Sequence, residues 1–203
     1  MGAATPEWPG DTPFSCGWSW EMATGASVNV GVVTTSLHVG THADAPLHVL
    51  QGAPASESLP LEAFSGPAIV LDAQDAGEGP TLTVAWLEAA LEGLPMPVRL
   101  LLRTGRTVAG GTFPADWPVL TPEATGWLLH GGLKLLGVDA PSVDSREAKE
   151  LVTHVRLFTS GAYLLENLHL DGVETGLYHL TAYPVLVAGA DAAPVRAVLE
   201  AAR

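Results

Sequence analysis

Three of the chain's seven histidines, His38, His42 and His48, fall within eleven residues, and Asp44 stands among them. Neutral imidazole and carboxylate are ligands that Zn²⁺ and Mn²⁺ accept, and a divalent cation needs three or four such groups within roughly 2 Å of it. Gly40 and Pro46 argue against an uninterrupted helix here, so His38 and His42 are not expected to share a helical face. In a fully extended strand the even-numbered residues would point the same way, yet His38 and His42 would stand about 13 Å apart, too far for one ion. The backbone must therefore bend between them. Gly40 can take up that bend without a steric cost at Cβ, and Pro46 stiffens the exit before His48. Chance clustering explains the run poorly, because burying so many polar side chains together is costly unless a cation satisfies them.

The run His38-Val39-Gly40-Thr41-His42-Ala43-Asp44-Ala45-Pro46-Leu47-His48 fits the pattern His-x-Gly-Thr-His-x-Asp-x-Pro-x-His. In this it resembles the cyclase-like hydrolases, the family that includes kynurenine formamidase and isatin hydrolase. The resemblance continues in Trp8-Pro9-Gly10-Asp11-Thr12-Pro13-Phe14, in Gly137-Val138-Asp139-Ala140-Pro141-Ser142-Val143-Asp144, in Leu165-Glu166-Asn167-Leu168 and in Ala188-Gly189-Ala190-Asp191, and so spans nearly the whole chain. It implies a binuclear centre in which His38, His42 and Asp44 hold one ion, His154 and Glu166 hold the second, and Asp44 bridges. Zn²⁺ is the implied metal, with Mn²⁺ as the alternative. The resemblance further implies that His48 donates and accepts the proton, that Trp8 contacts the substrate, and that the active form is a homodimer.

The activity so implied is the arylformamidase reaction of tryptophan degradation, hydrolysis of N-formyl-L-kynurenine to L-kynurenine and formate. Protonation of the departing aryl amine is the step for which a general acid worth roughly 10²–10⁴-fold is needed. Two rival readings stand beside it: hydrolysis of isatin or another small amide, and a noncatalytic metal-binding protein whose cluster is structural. Relatives carry further residues before the tryptophan, including a first strand reading Asp-Ile-Ser. Two explanations stand open: the true amino terminus lies upstream of Met1, or this domain lacks that strand, which would leave a sheet edge exposed.

On residues alone the distant ligands are less legible. Glu166 lies in the apolar run 162–168, where a buried carboxylate needs protonation or a cation partner, but it also reads as an edge-strand residue facing water. His154, placed after a helix expected at 145–153, reads equally as a helix-end imidazole favoured by the dipole. Asp139, Ser142 and Asp144 are candidates to orient a ligand imidazole, with helix capping the plainer role for Asp144. Arg103 is a candidate to pair with a carboxylate. His130, His169 and His179 fit no motif and read as structural or surface residues.

The elements that must position these groups follow from Val-, Ile- and Leu-rich runs bounded by Gly or Pro. Strands are expected at about 26–38, 67–73, 98–104, 133–139, 162–168 and 182–188. Helices are expected at 83–93, at 122–130 behind the cap Thr121 with Pro122 and Glu123, at 145–153 behind Asp144 or Ser145, and at 193–202. Segments 51–60 and 105–119 read as loops. Strands alternating with helices, some joined too tightly for a helical crossover, predict an α/β or α+β domain with a mixed sheet. The resemblance narrows this to a cyclase-like swivelling β/β/α domain. A length of 203 residues suits one domain.

Composition excludes several classes. Apolar residues make up 47% and charged residues 15%, which predicts a well-buried chain rather than disorder. A net charge of −13, with nine scattered Lys and Arg, repels phosphate backbones and anionic lipid, so nucleic acid and membrane are not expected partners. Neither an apolar leader in MGAATPEWPGD nor a run of roughly 20 apolar residues is present, and a cytoplasmic location is expected. The single cysteine, Cys16, is expected to be a small core residue.

Overall fold

A computed structural model describes residues 1–75 and 81–201. The chain opens with β1 (Ser15–Trp20) and β2 (Val30–Thr34), an antiparallel ribbon, followed by β3 (His42–Asp44) at the centre of the histidine run. Strand and helix then alternate through β4 (Ser65–Asp72), β5 (Thr81–Leu82), α1 (Val84–Ala90), β6 (Arg99–Arg103), β7 (Val119–Leu120), α2 (Pro122–His130), β8 (Leu135–Val138), α3 (Val152–Thr159) and β9 (Tyr163–Leu165). The last elements are β10 (Gly176–Thr181), β11 (Ala192–Pro194) and β12 (Val198–Ala201).

The main sheet has the order β12-β10-β4-β6-β8-β9. Its four strands β4, β6, β8 and β9 run parallel, joined by crossovers that carry α1, α2 and α3, while β10 pairs antiparallel with both β4 and β12. This is the mixed-sheet α+β architecture that the residue pattern predicts. Both faces of the parallel strands are covered, which is why they read as continuous apolar runs. Leu100 and Leu102 of β6 pack with Leu87, Leu128 and Leu157 of the three helices, whereas Leu101 packs on the other face with Ala43, Phe64, Leu165 and Leu168. The pair β3 and β11 lies on that second face, so the histidine run is held against the core of the sheet. Gly137 of β8 sits between Leu101 and Leu168, with no room for a Cβ.

Helix α2 starts where its cap predicts, with Thr121 Oγ1 accepting the Ala124 N–H; α1 is capped in the same way by Thr83, whose Oγ1 accepts the Trp86 N–H. Five expectations are corrected. The helix expected at 145–153 is the later α3; its first amides, Thr153 and His154, donate to the Asp144 carboxylate across an irregular segment, so the cap is not adjacent in sequence. The helix expected at 193–202 is instead β11 and β12, because pairing with β3 and β10 outweighs the helical propensity of its Ala, Leu and Arg residues; Ala202 lies outside the described residues. The strand expected at 182–188 is irregular, and the ladder to β4 is made one segment earlier, by β10. Only Val30–Thr34 of the run 26–38 is strand, and Cys16 is exposed on the ribbon rather than buried.

Candidate metal centre

His42 and Asp44 are two residues apart on β3, so their side chains emerge on the same side, and both are fully buried. Glu166, just beyond β9, forms a bridge to this strand: the His42 N–H donates to the Glu166 carbonyl at 3.3 Å and the Glu166 N–H to the His42 carbonyl at 3.1 Å. The backbone itself therefore sets the His42 and Glu166 side chains side by side, with Nε2 3.5 Å from Oε2. Gly40, at φ 72°, makes the bend that returns His38 to the same place, and a Cβ there would strike Met1. Asn167, left-handed at φ 54°, turns the chain after Glu166; its side-chain amide donates to the His38 carbonyl and its own carbonyl accepts from Thr41 Oγ1. His154 enters from the first turn of α3, inside the helix rather than after it.

Three imidazoles have their outer nitrogen engaged by a group that can only accept. His42 Nδ1 lies 2.9 Å from the Gly40 carbonyl, His154 Nδ1 lies 2.7 Å from Asp144 Oδ2, and His38 Nε2 lies 3.0 Å from Asp191 Oδ2. Each neutral ring must then carry its proton on the outer nitrogen and turn a lone pair inward. The inward nitrogens converge on Asp44: His38 Nδ1 and His42 Nε2 stand 3.2 and 3.1 Å from Oδ1, and His154 Nε2 stands 3.3 Å from Oδ2 and 3.3 Å from Glu166 Oε1. None of the approaches to Asp44 has hydrogen-bond geometry, and both of its oxygens are buried without a hydrogen-bond partner.

The electrostatics of this cluster ask for positive charge. Burial alone would keep His42 neutral, yet the adjacent Asp44 and Glu166 carboxylates raise its pKa to about 10. His154 is pushed well above the ordinary imidazole value against its burial, by Asp144, Asp44 and Glu166. Burial would raise the Asp44 carboxyl, but the His42 charge and the surrounding rings hold it well below the usual carboxylate range. Protons on the rings thus compensate two buried carboxylates. A divalent cation does the same without protonating the ligands. Donor atoms sharing a cation with bonds near 2.1 Å lie about 3.0–3.4 Å apart, which is the spacing found here. The donor set and the two orphaned Asp44 oxygens fit metal.

A cavity of about 540 Å³ opens on the cluster, lined among others by Trp8, His48, Phe113, Ser142, Leu151 and Asn167. Trp8 is 37% exposed and meets Phe113 edge-on at 5.3 Å and Trp117 at 6.0 Å. Trp117 Nε1–H donates to the Asp144 carbonyl, tying this aromatic wall to the loop that orients His154. His48 follows Pro46 in a short 3-10 turn; its side chain is 29% exposed toward the cavity, its Nδ1 is 3.2 Å from Asp191 Oδ2, and its Nε2 is 4.0 Å from Asp44 Oδ2.

The residues named from the sequence, His38, His42, Asp44, His48, His154, Glu166 and Trp8, are thus brought to one place. Asp144 both caps α3 and binds His154, while Asp139 instead accepts from Thr104 and Gly105. Arg103 pairs with Asp72 across the strand ends, and His130, His169 and His179 are exposed. Sequence reasoning missed Phe113 and Trp117, which sit in a segment read only as loop and carry no local signal; Asp191 closes a stretch that carries the resemblance, but no role was assigned to it.

Comparison with known proteins agrees with this geometry. The model of the Cyclase family matches residues 1–145. The kynurenine formamidase of Bordetella petrii is 42% identical over 199 residues, covering 98% of this chain and 93% of that protein. Among solved structures, one described as a predicted metal-dependent hydrolase from Bacillus stearothermophilus superposes with a TM-score of 0.79 at 25% identity, covering 98% of this chain and 93% of that one. Isatin hydrolase A from Ralstonia solanacearum shares the fold, with a TM-score of 0.80 at 24% identity over 97% of this chain and 87% of the other. The chain belongs to the Cyclase family, in the company of the bacterial kynurenine formamidases.

Proposed function

We propose that this chain hydrolyses N-formyl-L-kynurenine to L-kynurenine and formate at a centre of two divalent cations, with Zn²⁺ the preferred ion. The observation that carries the reading is Asp44, a buried carboxylate with neither oxygen hydrogen-bonded, ringed by inward imidazole nitrogens. His38, His42 and Asp44 Oδ1 would hold one cation, and His154, Glu166 and Asp44 Oδ2 the other. When bound, such a pair lowers the pKa of water and polarises the amide carbonyl.

The chain's own residues supply the rest. Trp8 and Phe113 offer aromatic faces for the aryl ring of the substrate, in edge and stacked contacts worth roughly 0.5–1.5 kcal/mol beyond burial. His48, on the cavity side of the cluster, takes a proton from the attacking water and returns it to the departing aryl nitrogen. Identity to the kynurenine formamidases selects the formyl amide; isatin is the rival substrate, on the likeness to isatin hydrolase A.

A homodimer belongs to the same proposal. The ribbon of β1 and β2 is exposed along its whole length and presents Trp18 and Trp20 together with Val30 and Val33. A two-stranded ribbon in water is at best marginally stable, and a second copy covering this face would stabilise it. A cytoplasmic location is also part of the reading; no helix among the described residues is long and apolar enough to cross a membrane. Formate release from N-formyl-L-kynurenine and ring opening of isatin, each assayed with cations and with a chelator, test the reading. Chelator-sensitive formate release is expected, and turnover of isatin alone would overturn it.

A further inference from the structure

We infer that Asp191 is a positioning residue that sets the tautomer of His48, so that one carboxylate oxygen ties the proton-transfer group to a metal-ligand imidazole. This deepens the proposed function and rests on it for the role of His48. Asp191 lies 143 residues beyond His48 in sequence, and the fold places it by backbone register. Ala192, the next residue, begins β11 directly opposite Asp44 of β3, and the Asp191 carbonyl accepts the Ala45 N–H at 2.8 Å. The strand that presents the ligands therefore also fixes the residue behind them.

Oδ2 of Asp191 is 3.0 Å from His38 Nε2 and 3.2 Å from His48 Nδ1. A carboxylate accepts only, so both rings place a proton on the nitrogen facing Asp191. For His38 this leaves Nδ1 free to face the centre. In His48 it leaves Nε2, the nitrogen on the Asp44 side, as the lone pair that can accept a proton beside the cluster. The two rings stand with centroids 4.4 Å apart, held as a pair by this single oxygen. Free imidazole favours neither geometry nor that tautomer in particular, and a His48 ring that flipped would turn an N–H toward the reacting atoms.

Two measurements on Asp191→Ala, with Asp191→Asn beside it, test this. In metal-free protein labelled with ¹⁵N-histidine, long-range ¹H–¹⁵N correlation reads the His48 tautomer directly. Wild type is expected to show the Nδ1–H form and Asp191→Ala to lose it. With cations saturating, kcat is expected to fall roughly 10–100-fold in Asp191→Ala with little change in KM, and less in Asp191→Asn, whose amide oxygen still accepts. A His48 tautomer unchanged in Asp191→Ala, or a kcat deficit erased by added cation, would overturn the inference by reducing Asp191 to a support for His38. The tautomer readout needs no substrate, so it separates failure of this inference from failure of the substrate assignment.

Discussion

His48→Ala separates proton transfer from metal binding, because the proposed centre leaves His48 outside the ligand shell. The inward nitrogens of His38, His42 and His154 lie 3.1–3.3 Å from an Asp44 oxygen, whereas His48 Nε2 is 4.0 Å away. Ligands sharing a cation stand about 3.0–3.4 Å apart, and on that ground we assign His48 to the substrate rather than to a cation. The question is open to measurement because His38, Asp44 and His48 also bring ligand atoms within 4.8 Å of one another. Removing a general acid–base should cost roughly 10²–10⁴-fold in kcat, about 2.7–5.4 kcal/mol of barrier at about 1.36 kcal/mol per tenfold. Stability should change little: a partly exposed ring loses one hydrogen bond to Asp191, about 1 kcal/mol or 2–4 °C in Tm for a domain of this size. The assay is formate release at saturating cation, with bound metal counted on the same sample. Full metal content with kcat reduced a hundredfold or more is expected. Loss of one cation would make His48 a ligand, and unchanged kcat with full metal would leave it without a role.

Other perturbations have equally definite outcomes. In the metal-free protein His42 has its pKa raised from about 6.5 to about 10, so its contribution to stability is fully present below about pH 6.5 and is lost as pH rises through about 10. Melting of the metal-free protein should therefore fall from pH 6.5 to pH 10 while the metal-loaded form holds, and a metal-free Tm that stays level would contradict the charge balance described. Gly137→Ala forces a methyl between Leu101 and Leu168 and should cost roughly 1–3 kcal/mol, read by thermal melting with metal content retained. Replacing Trp18 and Trp20 together with Ser should give a monomer by light scattering if the ribbon is the dimer face.

The ligand run was legible because it is local: His38, Gly40, His42 and Asp44 carry types and spacing that only a bend can reconcile. Parallel strands were legible too, since β4, β6 and β8 are buried on both faces and keep unbroken apolar runs. Long-range relations were not. The Asp144 cap of α3 reaches across seven residues, so the adjacent Ser145 drew the helix start forward. The carboxyl-terminal segment has helical composition, and only its pairing with β3 and β10 makes it strand. Cys16 reads as a small core residue until the exposure of the ribbon that carries it is seen. Asp191 and Phe113 acquire their places from tertiary contacts that no local pattern encodes.

Counting divalent cations per chain in purified wild type and in Glu166→Gln, after loading and dialysis, bears most directly on the convergence of these residues. Two cations per chain in wild type and a lost cation in the variant are expected, with formate release failing in parallel. Wild-type protein that retains no cation yet hydrolyses N-formyl-L-kynurenine in a chelator would contradict the account.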